Sequence, residues 1–224
     1  MERIRHCSIK KPGKTNSKAE SFCPVALTCI LGKILEAVVK EDIQNFLETY
    51  CKLSLSQHGF RRGRSCVSQL LHHCETIFTA LKNGENIDVV YPGFMKAFDK
   101  SDYGVILHRC KEKGIMGKVG VWLHNYLTGR KQAVIANNKI SSIKDVMSGV
   151  PQGSVIGPLL FLISIDSIST NSSDTFLGTF ADDTRVSRVI NDEMMWHNYR
   201  TTLSRFRGGL KPIIWHSMGQ NFNV

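Results

Sequence analysis

Thr175-Phe176-Leu177-Gly178-Thr179-Phe180, Ala181-Asp182-Asp183 and Thr184-Arg185-Val186-Ser187-Arg188-Val189-Ile190 follow one another without a break. β-Branched and aromatic residues on either side of a short acidic turn predict two strands joined at Asp182-Asp183. Such a turn projects both carboxylates from one edge of a sheet. Carboxylate oxygens suit hard divalent cations such as magnesium. A pair of such ions can clamp the attacking and leaving oxygens of a phosphoryl transfer. Alone the motif is weak, because Asp also favours turns on purely structural grounds.

Working outward, Ser148-Gly149-Val150-Pro151-Gln152-Gly153-Ser154 sharpens the reading. Glycines flanking Pro-Gln let backbone approach a ligand closely, and the Gln152 amide both donates and accepts toward a nucleotide or base. The bland alternative is a Pro-Gly loop before a helix. The loop and the acidic turn together are far more specific than either. Further upstream, Gln57-His58-Gly59-Phe60-Arg61-Arg62-Gly63-Arg64-Ser65 places guanidinium groups on a glycine-hinged loop. Arg forks match phosphate oxygens in pairs, although a solvated basic turn is the usual fate of such a run. Lys11 beside Pro12-Gly13 is a weaker candidate for a further phosphate contact.

The rest of the chain supplies a scaffold. Residues 1 to about 24 read as a basic, extended or loosely ordered lead-in. Ile30, Leu31, Ile34, Leu35, Val38 and Val39 recur at helical spacing, with Lys33, Glu36 and Lys40 on the other face, and the pattern continues through Ile43, Phe46 and Leu47. Ser65 caps a second helix carrying Leu70, Leu71, Cys74, Ile77, Phe78 and Leu81. Ile87 to Tyr91 reads as a buried strand, with Asp88 a surface or capping residue. Short helices follow near 103–113 and 118–127, then a hairpin around Asn137-Asn138. Pro158 opens an apolar helix. Cys66, His72, His73 and Cys74 lack zinc-ligand spacing.

The 224 residues carry 42% hydrophobic side chains, enough for a core, and a formal charge of +10. A basic balance suits a polyanionic partner such as nucleic acid. No run of eighteen apolar residues is present, so no membrane span is expected. Seven scattered cysteines favour reduced thiols over a disulfide framework.

In order along the chain, Ile9–Lys14, Pro24–Thr28, Gln57–Leu71, Asp88–Asp99, Ser148–Leu162 and Phe180–Arg185 resemble the reverse transcriptase domain of LINE-like retrotransposons, those without long terminal repeats. The resemblance implies an α+β right-hand polymerase with fingers and an antiparallel palm backed by helices, and no complete thumb. On that pattern the lead-in spans 1–24, fingers 25–86, palm 87–190 and a degenerate segment 191–224. Asp182 and Asp183 would be catalytic metal ligands for two magnesium ions. Lys11 and Arg61 would approach a triphosphate, with Arg62 and Arg64 on nucleic acid. Phe98 would exclude a ribose 2′-hydroxyl, and Gln152 and Gly153 would line the nucleotide site. The partners implied are an RNA template, a DNA primer and deoxynucleotides, in the nucleus.

The departures point the other way. The family reads Tyr-Leu-Asp-Phe where this chain has Tyr91-Pro92-Gly93-Phe94, so Gly93 replaces a metal-bridging carboxylate. Pro92 lacks an amide hydrogen and does not suit a central strand. Phe22-Cys23-Pro24 stands where the family has Tyr-Arg-Pro. The expectation is a polymerase by descent with activity impaired and metal weakly held. An inactive RNA-binding module and a non-functional pseudogene product remain the alternatives.

Overall fold

The computed structural model describes residues 3–10, 22–93, 97–136, 139–166, 175–190 and 214–218. Its elements in chain order are β1 (Arg3–Lys10), β2 (Phe22–Leu27), α1 (Ile30–Thr49), α2 (Cys66–Lys82), β3 (Ile87–Tyr91), α3 (Ala97–Lys100), α4 (Tyr103–Glu112), α5 (Gly117–Leu127), β4 (Lys131–Ala136), β5 (Lys139–Ile140), β6 (Lys144–Asp145), α6 (Gly157–Ile165), β7 (Thr175–Phe180), β8 (Asp183–Val189) and β9 (Ile214–Met218). The class is α+β, as the sequence predicts. The chain divides into two compact units, Met1–Leu53 with Ala97–Ile165 and Ser54–Lys96 with Asp166–Val224. These units follow spatial contact and run across the chain-order boundaries at 24, 86 and 190.

In the first unit the basic lead-in contributes two paired strands. β1 runs antiparallel to β2, with Arg5 opposite Leu27 and Lys10 opposite Phe22. β1 also runs parallel to β4, on which β5 and β6 pair. Beside this sheet, α6 packs against α4. Leu159, Leu160, Phe161, Leu162 and Ile163 are all at most 1% exposed. An apolar run with no polar face makes a fully buried helix, and each such side chain is worth about 1.5–3 kcal/mol on burial. Asp102 caps α4 by accepting from the Val105 amide at 2.9 Å. Gly114 then ends the helical hairpin segment at φ 93°.

α1 forms where the periodicity puts it, and its second half buries Ile43 and Leu47 of the expected stripe. In its first half Ile30, Leu31, Ile34, Leu35 and Val38 are exposed, and Glu36 is buried instead. Its carboxylate accepts from the amides of Val155 at 2.7 Å and Ile156 at 3.3 Å, just ahead of α6. Unsatisfied amides gather at helix starts, and a buried carboxylate is retained when it is hydrogen-bonded.

In the second unit β7, β8, β3 and β9 form an antiparallel sheet in that order. α2 packs against β7 and β3. The expected Ser65 cap is present as a capping box, Ser65 accepting from the Ser68 amide and Ser68 from the Ser65 amide. Here too the inward face differs: Gln69, His73 and Ala80 are buried, and Leu70, Leu71, Phe78 and Leu81 are exposed. Gln69 earns its place by accepting from Arg185 at 2.7 Å. Asp88, expected at the surface, is buried in β3 opposite Arg188. β9 belongs to the C-terminal stretch expected to be degenerate; residues 191–213 lie outside the described residues.

Candidate active site

β7 and β8 are joined by the two-residue loop Ala181-Asp182, with Phe180 paired to Asp183. Ala181 adopts φ 55°, a left-handed conformation that costs a non-glycine residue about 1–2 kcal/mol. Asp182 is half-buried and Asp183 exposed. Two adjacent carboxylates at one sheet end are thus presented together, as expected.

Gly93 bridges Asp183. The β3–β8 ladder pairs Ile87 with Val189 through Val90 with Val186, and the Gly93–Asp183 bridge continues that register. Pro92 interrupts the ladder without shifting it. Among the described residues a Cβ built on Gly93 meets nothing within 4 Å. The position expected to supply a third carboxylate thus stands opposite Asp183, with space for a side chain, and carries none.

The arginine loop is anchored to the same hairpin. His58 donates its amide to Thr179 O at 2.8 Å, and Thr179 donates to Ser56 O at 2.9 Å. Gln57 is 2% exposed. Its Oε1 accepts from the Gly59 amide at 2.8 Å and from the Ala181 amide at 3.1 Å. A Cβ on Gly59 would lie 2.3 Å from Ala181 N, so only glycine fits. Arg61 donates through Nη1 to Ser54 O at 2.7 Å, and Arg64 donates to Leu55 O and Gln57 O. Arg62 is exposed. His58 sits beneath these arginines with Nδ1 2.9 Å from Ser68 Oγ. Burial, then the charges of Arg64, His72 and Arg61, lower its pKa.

The other expected residues lie in the first unit. Phe98 in α3 stacks on Phe161 at 4.4 Å between ring centroids, and its carbonyl accepts from Val150 N at 2.9 Å. Gln152 donates through Nε2 to Asp99 at 2.7 Å, while its own carbonyl accepts from Ala26 N at 2.7 Å. Gly149 at φ 84° lets the loop close on Asp99, whose carbonyl would be 2.6 Å from a Cβ there. Gly153 at φ 97° does the same beside Val25 and Ala26. These glycines thus serve close packing of the chain on itself. A cleft of about 370 Å³ opens here, lined by Asp99, Arg130, Gln132 and the loop 145–152. Buried Arg130 holds that loop by donating to Gly149 O and Tyr103 Oη. Lys11 lies outside the described residues.

The donor set has a definite limit. Among the described residues no group of three or more His, Cys, Asp or Glu is placed to hold a metal ion. Two carboxylates suit one hard cation.

The order of these motifs agrees with a family model. Residues 9–207 match the model described as reverse transcriptase (RNA-dependent DNA polymerase). This chain belongs to the reverse transcriptase family. Among its relatives, a probable RNA-directed DNA polymerase from transposon X-element of Drosophila melanogaster is 34% identical over 183 residues, covering 80% of this chain and 20% of that protein. The polymerase from mobile element jockey of the same organism is 28% identical over 185 residues, with 80% and 20% covered. A putative 115 kDa protein in type-1 retrotransposable element R1DM is 28% identical over 176 residues, with 78% and 16% covered. The chain thus spans about a fifth of these relatives, and the domain is of the LINE-like retrotransposon kind.

Solved structures agree on the reverse transcriptase fold. Apo telomerase from Candida tropicalis, truncated from its C-terminal domain, superposes with a TM-score of 0.65 at 10% identity over 98% of this chain and 51% of that one. Candida albicans telomerase in complex with a telomeric RNA fragment gives 0.62 at 10% identity, over 100% and 43%. No helix among the described residues is long and apolar enough to cross a membrane. Sequence reasoning did not assign Gln57, Gly59 or Glu36 as builders of these surfaces. A polar residue inside an otherwise ordinary loop or helix face is the only signal that Gln57 and Glu36 leave.

Proposed function

We propose that this chain is the RNA-directed DNA synthesis scaffold of a retrotransposon polymerase, held inactive or nearly so by the glycine at position 93. The in-register Gly93–Asp183 bridge carries the reading. In it, 25–86 are fingers and 87–190 palm. Asp182 and Asp183 would hold a divalent cation, magnesium by the hardness of the donors, which when bound supplies charge stabilisation at a phosphoryl oxygen. The protein's own side chains bind and orient. Arg61, with Lys11, takes the triphosphate of a deoxynucleotide, and Arg62 and Arg64 take nucleic acid. Phe98 excludes the 2′-hydroxyl, and Gln152 and Gly153 line the base and sugar. An RNA template and a DNA primer are the nucleic acids. Loss of one bridging carboxylate costs several kcal/mol of transition-state stabilisation, roughly a thousandfold or more in rate.

Primer extension on an RNA template tests this, comparing the unaltered chain with Gly93→Asp. Extension by Gly93→Asp alone is the expected result. Extension by the parent at a comparable rate would refute the role of Gly93. The net charge of +10 favours a second reading, a binding module without chemistry. Salt-dependent RNA binding with no extension by either protein selects it.

A further inference from the structure

We propose that Gln57 is the positioning residue of the acidic turn, locking the arginine loop and the Asp182–Asp183 pair into one rigid piece. The inference rests on the reading of that pair as the cation-holding carboxylates. Ala181 immediately precedes them and holds φ 55° without being glycine. Strained backbone persists only where its surroundings over-determine it. At Ala181 those surroundings include Gln57 and Gly59. In a two-residue hairpin the first loop residue has its amide turned out of the ladder. Buried amides need partners, and the Ala181 amide finds Gln57 Oε1 at 3.1 Å.

The same oxygen takes the Gly59 amide at 2.8 Å, two residues along the arginine loop. One acceptor therefore ties together the loop that carries Arg61, Arg62 and Arg64 and the turn that carries the carboxylates. Flanking contacts make the tie stiff. Ser56 and His58 pair with Thr179 on β7, the end strand of the described sheet. Gly59 packs so tightly on Ala181 that a Cβ would lie 2.3 Å from its nitrogen. A glutamine also suits the site electrostatically. It offers the oxygen without a third negative charge beside two carboxylates.

Two measurements test the assignment. Amide hydrogen exchange on the chain as given reads the positioning directly. Gln57→Met is expected to speed exchange at Ala181 and Gly59 by at least about fivefold, the loss of one ordinary hydrogen bond. Gln57→Glu, which keeps the acceptor, restores protection. Unchanged protection of both amides in Gln57→Met overturns the proposal. Should Gln57→Met fail to fold, Gln57→Asn, too short to reach both amides, takes its place with the same expectations.

The second measurement is manganese affinity in Gly93→Asp, read by electron paramagnetic resonance. Adding Gln57→Met should weaken it about fivefold or more, whereas Leu123→Ala, destabilising in the buried face of α5, should leave it unchanged. Equal weakening by both variants reduces Gln57 to a stability residue and overturns the proposal. A Gly93→Asp parent that binds no manganese refutes the functional reading instead, and amide exchange still decides the role of Gln57.

Discussion

Gly93 stands directly opposite Asp183, in the register that β3 and β8 set further up the ladder. The pairing lapses at Tyr91 and Pro92, yet it resumes at Gly93 without slipping. A one-residue slip would turn every side chain to the other face of the sheet. Position 93 therefore stands in register with Asp183 and carries no side chain.

Two glycines in this unit should respond oppositely to substitution. Gly93 has open space around a built Cβ, and Gly59 has the Ala181 nitrogen at 2.3 Å. Gly93→Asp should shift stability by less than about 1 kcal/mol, mostly through repulsion from Asp182 and Asp183. Magnesium should raise its melting temperature more than the parent's, by mass action on the folded state. Gly59→Ala should cost about 3 kcal/mol or more, as overpacking against backbone does. Thermal melts of the three proteins, with and without magnesium, measure this.

Glu36 carries a second expectation. It is 3% exposed and accepts from two amides ahead of α6. Glu36→Leu should destabilise by about 2–3 kcal/mol by leaving two buried donors unpaired. Glu36→Gln, which keeps an oxygen in place, should recover much of that. Urea unfolding of both variants is the measurement, and equal losses would show that the charge, and not the acceptor, matters.

The third expectation concerns acid. His58 and His73 both have pKa values below the usual 6.5. Burial is the larger cause in each, followed by Arg64, His72 and Arg61 for His58 and by Arg185 for His73. Neither ring nitrogen of His73 has a hydrogen-bond partner among the described residues, and its ring lies 5.6 Å from that of Phe176. The unfolded chain therefore binds protons more readily than the folded one. Stability is full above pH 6.5 and falls as pH drops from 6.5 toward the folded-state values, by at most about 1.4 kcal/mol per pH unit per histidine. His73→Leu should flatten the slope in melts between pH 7.5 and 5; an unchanged slope would remove His73 from the account.

The sequence made the acidic hairpin and most helices legible because their signals are local. Thr175–Phe180 and Asp183–Val189 are β-rich runs around a turn, and Ser65 is an ordinary cap. Which face of a helix turns inward is not local. In the first half of α1 and along much of α2 the apolar stripe is exposed, and polar Glu36, Gln44, Gln69 and His73 are inside. Glu36 and Gln69 meet partners more than a hundred residues away in sequence. Periodicity counts apolar residues and cannot see a distant amide or guanidinium. The strands of the lead-in escaped notice for the same reason, since β1 finds its parallel partner only at β4. At the site the residue types were legible, while the contacts that hold them were not. Gln152 bonds Asp99, and Gln57 bonds the turn.

The vacant side-chain position at Gly93 has a consequence in the genetic code. Every glycine codon begins with two guanines, and replacing the second by adenine always yields aspartate or glutamate. Whatever codon specifies residue 93, a single transition would place an acidic residue there. The surrounding backbone already stands in register with Asp183, so an acid beside the Asp182–Asp183 turn is one base away.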